Sequence, residues 1–193
     1  MQSVSNGKAT RLALVAALVA ALCQESAVTA PKAQSSEPPQ RLEAELAVRN
    51  AAFEITLAGL MGDAAAFARH ATARTLGVYD LVYELSCENP KVRDQFQRAG
   101  IHTGRDYLRV SLQQNARSNA TIRASAEAIA KENSSAPLKF ISSTEANLTT
   151  KNGIWRVVWE GDQWKVDRSE SLKSGFLKMP TLSPEARARL ERF

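Results

Sequence analysis

The segment from residue 154 to residue 167, IWRVVWEGDQWKVD, constrains the fold of this chain more than any other. Apolar and polar residues alternate on both sides of Gly161-Asp162, which is the pattern of two strands joined by a two-residue loop. Gly161 stands where such a loop requires a positive φ. The segment therefore predicts an antiparallel hairpin with strands at 154–160 and 163–167.

Two more strands are predicted immediately before this hairpin. Residues 120–129, ATIRASAEAI, alternate small or apolar side chains with Thr, Arg, Ser and Glu, which is a period of two. A further strand is expected near Leu138–Thr150, and Asn152-Gly153 is a turn signal that joins it to the hairpin. Together these segments predict a meander of antiparallel strands.

The residues before this meander have a helical period instead. Leu42, Leu46, Phe53, Leu57 and Leu60 predict one amphipathic helix of roughly 20 residues, ended at a glycine. Shorter helices are predicted after it, at 64–70, 78–85, 90–96 and 104–115, with Asp63 as the cap of the first and Asn89-Pro90 at the start of the third. Helices followed by a strand meander indicate an α+β fold.

The first residues of the chain are typical of an export signal. Lys8 and Arg11 precede the apolar run Leu12–Leu22, which is too short to span a bilayer. We assign residues 1–30 to a signal peptide and 31–40 to a linker, and expect a periplasmic location. Acylation of Cys23, which would make the protein a lipoprotein, is the alternative.

The domain itself is expected at 41–170, followed by a charged tail at 171–193. Ser183-Pro184 opens a short helix in that tail, which we expect on the surface because most of its residues are charged. The chain has 193 residues, of which 44% are hydrophobic, so it has room for one domain with a core. Its 2 cysteines exclude a disulfide-dense scaffold.

Four features carry a resemblance to the NTF2-like superfamily, also called SnoaL-like or cystatin-like. They are the long helix from about residue 40, the short GDAAAFARHA element, the helix that opens at Gly104-Arg105-Asp106-Tyr107-Leu108, and the final hairpin. The resemblance implies a long helix packed into a curved antiparallel sheet, which forms a cone with a pocket at its wide end. Residues 76–103 depart from this pattern by adding helices in the middle.

The resemblance also implies where catalysis would occur, because catalytic members use a pocket His or Asp as general base. His70, Asp80 and His102 are the candidates here. Each also has a structural interpretation: a cationic ring at a helix end, a solvated helix face and a turn. The histidines and Cys87 lack metal-ligand spacing, so neither a metal site nor a cofactor is expected.

Aromatic residues are the better candidates for a ligand pocket. Trp155 and Trp159 share one strand face with Val157, while Trp164 and Val166 share a face of the next strand. If the sheet curves over the long helix, one set fills the core and the other lines a pocket. Plain core packing is the favoured interpretation of these aromatic residues. The alternative is a ligand pocket lined by Tyr79, Tyr83, Trp155 and Trp159, which would take a small apolar ligand.

Positive charge is concentrated in one part of the chain. Residues 89–123 contain seven basic and two acidic residues, so this segment alone carries the +5 of the whole chain. Arg98, Arg105 and Arg109 are predicted to form either a surface for an anionic partner, such as an acidic envelope protein or lipid headgroups, or an ordinary solvated face. Nucleic acid is not expected for an exported protein, and a homodimer is left open.

Three functions follow from these observations. The first is an exported, non-catalytic domain that binds a ligand or a protein partner in the cell envelope. The second is a small pocket enzyme, an isomerase or dehydratase that uses general acid–base catalysis. The third is a structural component of an envelope or secretion complex. The absence of a catalytic motif in the sequence favours the first.

Overall fold

The helices and strands of the computed structural model follow the α+β order, and it describes residues 40–118, 120–180 and 182–193. The predicted signal peptide and residues 31–39 of the predicted linker lie outside the described residues. The helices are α1 (Arg41–Met61), α2 (Ala64–His70), α3 (Ala73–Cys87), α4 (Pro90–Arg98), α5 (Gly104–Ser118), α6 (Ala120–Ala124), α7 (Ala126–Ser134), α8 (Ser169–Phe176) and α9 (Pro184–Arg192). The strands are β1 (Leu138–Phe140), β2 (Glu145–Thr150), β3 (Gly153–Glu160) and β4 (Gln163–Asp167).

The four strands form one antiparallel sheet in the order β1-β2-β3-β4, so each strand pairs with the next along the chain. The predicted hairpin is confirmed, with φ of 59° at Gly161 and 67° at Asp162. The single strand predicted near 138–150 is instead two strands, which turn back on each other at residues 141–144.

The segment 120–129 is helical, so the prediction of a strand there is wrong. Ala126, Ala130 and Asn133 of α7 are buried at spacings of four and three residues, whereas Ala128 is exposed. Alanine, glutamate and lysine favour helices, and they lack the branched side chains that strands prefer. An alternation of small residues therefore did not indicate a strand, because packing against α1 fixed a helical period.

The long first helix is confirmed, but its buried face is not the predicted one. Leu42 is 81% exposed and Leu46 is 63% exposed. Small side chains dominate the buried face, which consists of Ala44, Val48, Ala51, Ala52, Ile55, Thr56 and Ala58. This face packs against α7, which is also alanine-rich, and against β4. Small residues on both helices let the two backbones approach closely.

Helix starts in the first half follow the predicted chemistry. Asp63 Oδ1 accepts the N–H of Ala66 at 2.9 Å at the start of α2, and Asn89 Oδ1 accepts that of Lys91 at 3.0 Å at the start of α4. Gly104 opens α5 directly beside α3, where a Cβ atom would lie 2.7 Å from the backbone nitrogen of Asp80. Only glycine fits this contact between the two helices.

The C-terminal residues pack more closely than predicted. Helix α8 follows β4 directly, a helix that the sequence did not predict, and packs against α3. Ser183 caps α9 as expected, accepting the N–H of Ala186 at 3.1 Å. Ala186 and Leu190 of α9 are nevertheless fully buried, so this helix docks on the domain and only its charged face meets solvent.

None of the helices in the described ranges combines the length and the apolar character that a membrane-spanning helix needs.

Candidate functional site

A cavity of about 390 Å³ lies between the helices and one end of the sheet. Six of its lining residues have purely hydrocarbon side chains: Ile55, Leu60, Phe67, Leu112, Ile129 and Leu172. Tyr79 of α3, Trp155 of β3 and Arg168 also line it, with Gly59 and four polar side chains: Thr56, Asn115, Asn133 and Asn152. Its size and its mainly apolar wall are those of sites for small organic ligands.

The position of Arg168 is fixed by hydrogen bonds where β4 passes into α8. The backbone N–H of Arg168 donates to Oγ1 of Thr75 at 2.8 Å, and Asp167 Oδ1 accepts the N–H of Ser169 at 2.9 Å. Thr75 belongs to α3 and is fully buried. The hydroxyl of one buried threonine therefore joins α3 to the backbone that carries Arg168.

The guanidinium of Arg168 lies over the ring of Trp155, with its central carbon 4.6 Å from the ring centroid. Burial lowers the pKa of Arg168 below its usual value, while interaction with Tyr79 acts in the opposite direction. Its Nε atom is buried and has no hydrogen-bond partner. No carboxylate of the described chain forms an ion pair with it. The site therefore contains a cation that lacks a counter-ion.

Tyr79 places a neutral hydroxyl in the wall of the same cavity. Burial raises the pKa of Tyr79 to about 12, and the nearby Arg168 opposes that rise. The ring is held edge-on between Phe67, at a centroid distance of 6.3 Å, and Phe176, at 5.6 Å. Tyr79 thus remains protonated at any physiological pH and is fixed in orientation.

Arg168 and Trp155 also line a second cavity, of about 230 Å³, whose other residues include Asp167, Glu170 and Arg74. The guanidinium interacts electrostatically with Tyr79, and Tyr79 lines only the larger cavity. The charge of Arg168 is therefore available to the larger of these two cavities as well as to the smaller one.

Two of the four predicted pocket residues meet at this cavity, namely Tyr79 and Trp155. Tyr83 is half-buried away from it and stacks on Phe96 at a centroid distance of 5.9 Å. Trp159 is also half-buried, with its ring edge-on to Trp164 at 5.8 Å.

Both strand sets of aromatic and valine residues lie on one face of the sheet. Val157 pairs with Val166, and Trp159 pairs with Trp164. Directly paired residues point to the same side of a sheet. The two sets are therefore not divided between a core face and a pocket face, and Trp155 alone among them lines the cavity.

The three candidate acid–base residues lie away from the cavity. His70, at the end of α2, is half-buried, and burial lowers its pKa, aided by Arg69 and Lys165 and opposed by Glu54. Asp80 and His102 are exposed. Within the described ranges no three His, Cys, Asp or Glu side chains cluster as metal ligands would.

The predicted basic surface is exposed and is divided between two helices. Arg98 belongs to α4, and Arg105 and Arg109 lie one turn apart on α5. Arg109 forms an ion pair of 3.0 Å with Asp106. Hydrogen bonds from the His102 N–H and the Thr103 hydroxyl lower the pKa of Asp106, and Arg109 adds to this effect. The charge of Arg109 is thus partly balanced within its own helix.

Sequence reasoning missed Arg168, although the predicted hairpin contained a signal for it. The strand register pairs Arg156 with Asp167, and continuing it by one residue brings position 168 opposite Trp155. An arginine opposite a tryptophan favours a cation–π contact. The burial of that contact depends on α3 and α8, which the hairpin pattern does not reveal.

Comparison of the chain with protein-family models finds no match, and neither do comparisons with curated proteins and with solved structures.

Proposed function

We propose that this chain is an exported, non-catalytic binding domain of the cell envelope, and that the cavity lined by Tyr79, Trp155 and Arg168 holds a small, mainly apolar ligand. The observation that carries this proposal is the cavity of about 390 Å³, walled by aliphatic and aromatic side chains. A mainly apolar wall with some polar groups gives affinity through burial and orientation through hydrogen bonds.

The chemistry of the wall supports binding rather than catalysis. The described lining residues include no carboxylate, imidazole or thiol that would serve as general base or nucleophile. The ionisable groups in it are Tyr79, which is held neutral, and Arg168, which is held charged. Such groups donate hydrogen bonds to a ligand but do not exchange protons with it near neutral pH.

The proposal includes a relation to the NTF2-like cone. Its support is the packing of α1 against β4, the short α2 that follows, the opening of α5 at Gly104 and the final β3–β4 hairpin. A cavity between the long helix and the sheet agrees with the expected position of a cone pocket. The helices α3 and α4 would be the addition in the middle.

Export rests on the leader sequence, with Lys8 and Arg11 ahead of the run Leu12–Leu22. A version of the chain without residues 1–30 should stay in the cytoplasm when it is expressed in a bacterium, while the full chain reaches the periplasm. Fractionation followed by immunoblotting measures both. Export of the shortened chain would contradict this part of the proposal.

Ligand binding is tested with N-phenyl-1-naphthylamine, an uncharged dye that fluoresces in apolar sites. The chain should bind it saturably with a stoichiometry of one. Gly59 lines the cavity, and a Cβ there would meet the Phe67 ring at an ordinary distance of 3.7 Å, so Gly59→Leu should fill the space without forcing the helix. Binding should then be lost.

The matched control is Gly175→Leu on α8, where a Cβ would meet open space. This variant should bind the dye as the original chain does. Circular dichroism melting checks that both variants fold. Failure of the original chain to bind the dye, or equal binding by the folded Gly59→Leu variant, would overturn the proposal.

A further inference from the structure

The neighbouring carboxylates are already paired elsewhere, which leaves the charge of Arg168 without a counter-ion among the residues that the structure describes. Asp167 accepts hydrogen bonds from Thr75 and Ser169 and lies 3.7 Å from Nη1 of Arg156. Glu170 pairs with Arg74 at 2.9 Å and with Lys173 at 3.0 Å. The acidic side chains next to Arg168 in the chain are therefore engaged by other cations.

Arg168 is half-buried, and a cation largely removed from water without a counter-ion is costly to a protein. The face of Trp155 recovers part of this cost through the cation–π contact. It provides no acceptor for the N–H at Nε, which is buried and unpartnered. An anionic group from outside the chain that entered the larger cavity would pair with the accessible part of the guanidinium and balance its charge.

We infer that the ligand of this cavity carries a carboxylate, which pairs with the guanidinium of Arg168 while its apolar body lies against Trp155 and the aliphatic wall. This inference rests on the proposed binding function and names the class of ligand. Arginine presents a planar fork of donors that matches the two oxygens of a carboxylate.

The charge and size of the cavity favour a carboxylate on an apolar body. Arg168 is the cationic side chain among the described lining residues, so the wall balances a single negative charge. The Tyr79 hydroxyl, neutral and fixed, adds a second donor near the guanidinium. The remaining wall is mostly aliphatic and aromatic, which fits a medium-length alkyl or aryl group.

The test compares sodium decanoate with decanamide, which has the same shape at its head but no charge. Each displaces N-phenyl-1-naphthylamine from the full chain, and the concentration for half displacement is measured. Decanoate should bind about tenfold to a hundredfold more tightly than decanamide, since hydrogen bonds to charged groups contribute more than neutral ones.

Variants at position 168 assign this preference to the guanidinium. Arg168→Met keeps an apolar stem but removes the charge, so it should bind decanoate and decanamide alike. Arg168→Lys keeps the charge without the fork and should retain a reduced preference. Arg105→Met is the control, because Arg105 is exposed on α5 and lines neither cavity, so its loss should leave the preference unchanged.

The outcomes separate this inference from the proposed function. Equal binding of decanoate and decanamide by the original chain would overturn the carboxylate inference and leave apolar binding intact. A preference that survives in a folded Arg168→Met variant would overturn it as well. If neither the dye nor the two probes bind the original chain, the proposed function itself fails.

Discussion

Thr75 determines the position of Arg168 more than any other residue. Its hydroxyl accepts the Arg168 N–H and lies within reach of Val166 and Asp167, so one buried oxygen ties α3 to the end of β4. The cation–π contact with Trp155 then positions the side chain of Arg168. The geometry of the site thus depends on a residue that does not line the cavity.

Replacing Thr75 by valine should destabilise the domain and weaken the site. Thr75→Val preserves the shape of the side chain but leaves the buried Arg168 N–H without its acceptor, which costs about 1–3 kcal/mol of unfolding free energy. Urea denaturation measures this loss, and decanoate should also bind less tightly. Thr149→Val on the exposed side of β2 is the control, and an equal effect in both variants would contradict the assigned role.

The alkaline limit of the protein should depend on Tyr79. Its pKa is raised from 10.0 to about 12, so between these values the folded chain keeps a proton that the unfolded chain has released. The stabilisation is complete below about pH 10 and disappears as the pH rises toward 12. The stability of Tyr79→Phe should therefore decline less over this range, measured by urea denaturation at each pH.

Absorbance titration of the tyrosines gives an independent measurement of the same group. The ionisation step with the highest pKa should be absent from the titration curve of Tyr79→Phe. It should persist in a Tyr83→Phe control, because Tyr83 is less buried. Loss of that last transition in the control alone would show that the raised pKa belongs to another residue.

The contact between α1 and α7 shows which features of a helix the residue pattern predicts and which it does not. The hairpin, the long helix and the caps at Asp63 and Asn89 all followed from local rules, because turn and cap chemistry acts over a few residues. The buried face of α1 did not follow from local rules, because the exposed Leu42 and Leu46 are more apolar than the alanines that pack against α7. Which face is buried depends on the partner helix, and that partner had been predicted as a strand.

Two leucine substitutions distinguish a helix from a strand in this segment. Ala130 is buried against α1, whereas Ala128 is exposed. Ala130→Leu should overpack the helix contact and lower the unfolding free energy by about 1–3 kcal/mol, while Ala128→Leu should have little effect. In a strand both side chains would share one face, so similar losses in the two variants would contradict the helical assignment of α7.

At the scale of the whole molecule, the C-terminal helices complete the domain around the cavity. Helix α8 contributes Leu172 to the wall and α9 docks on α3, the helix that carries Tyr79 and Thr75. The sequence indicated that α9 exists but not that it is docked, because its two buried residues stand among charges. The residues of the cavity wall could not be predicted from the sequence either, because they come from distant parts of the chain.

Removal of the buried leucine of α9 should therefore destabilise the whole domain. Leu190→Ala leaves a cavity where the side chain is fully buried, which typically costs about 2–5 kcal/mol. Thermal melting should show one cooperative transition at a lower temperature. The exposed neighbour Glu191→Ala should melt as the original chain does. An unchanged melting temperature for Leu190→Ala would mean that α9 is not part of the folded unit.

Carboxylate binding at Arg168 is tested most directly by a nuclear magnetic resonance titration of the labelled chain with decanoate. The Nε–H signal of Arg168 and the indole N–H signal of Trp155 should shift together and saturate with the same affinity as dye displacement. The indole signal of Trp159, outside the cavity, should not move. Saturable decanoate binding that leaves Arg168 and Trp155 unshifted, or that shifts only the Arg105 region of α5, would contradict the account.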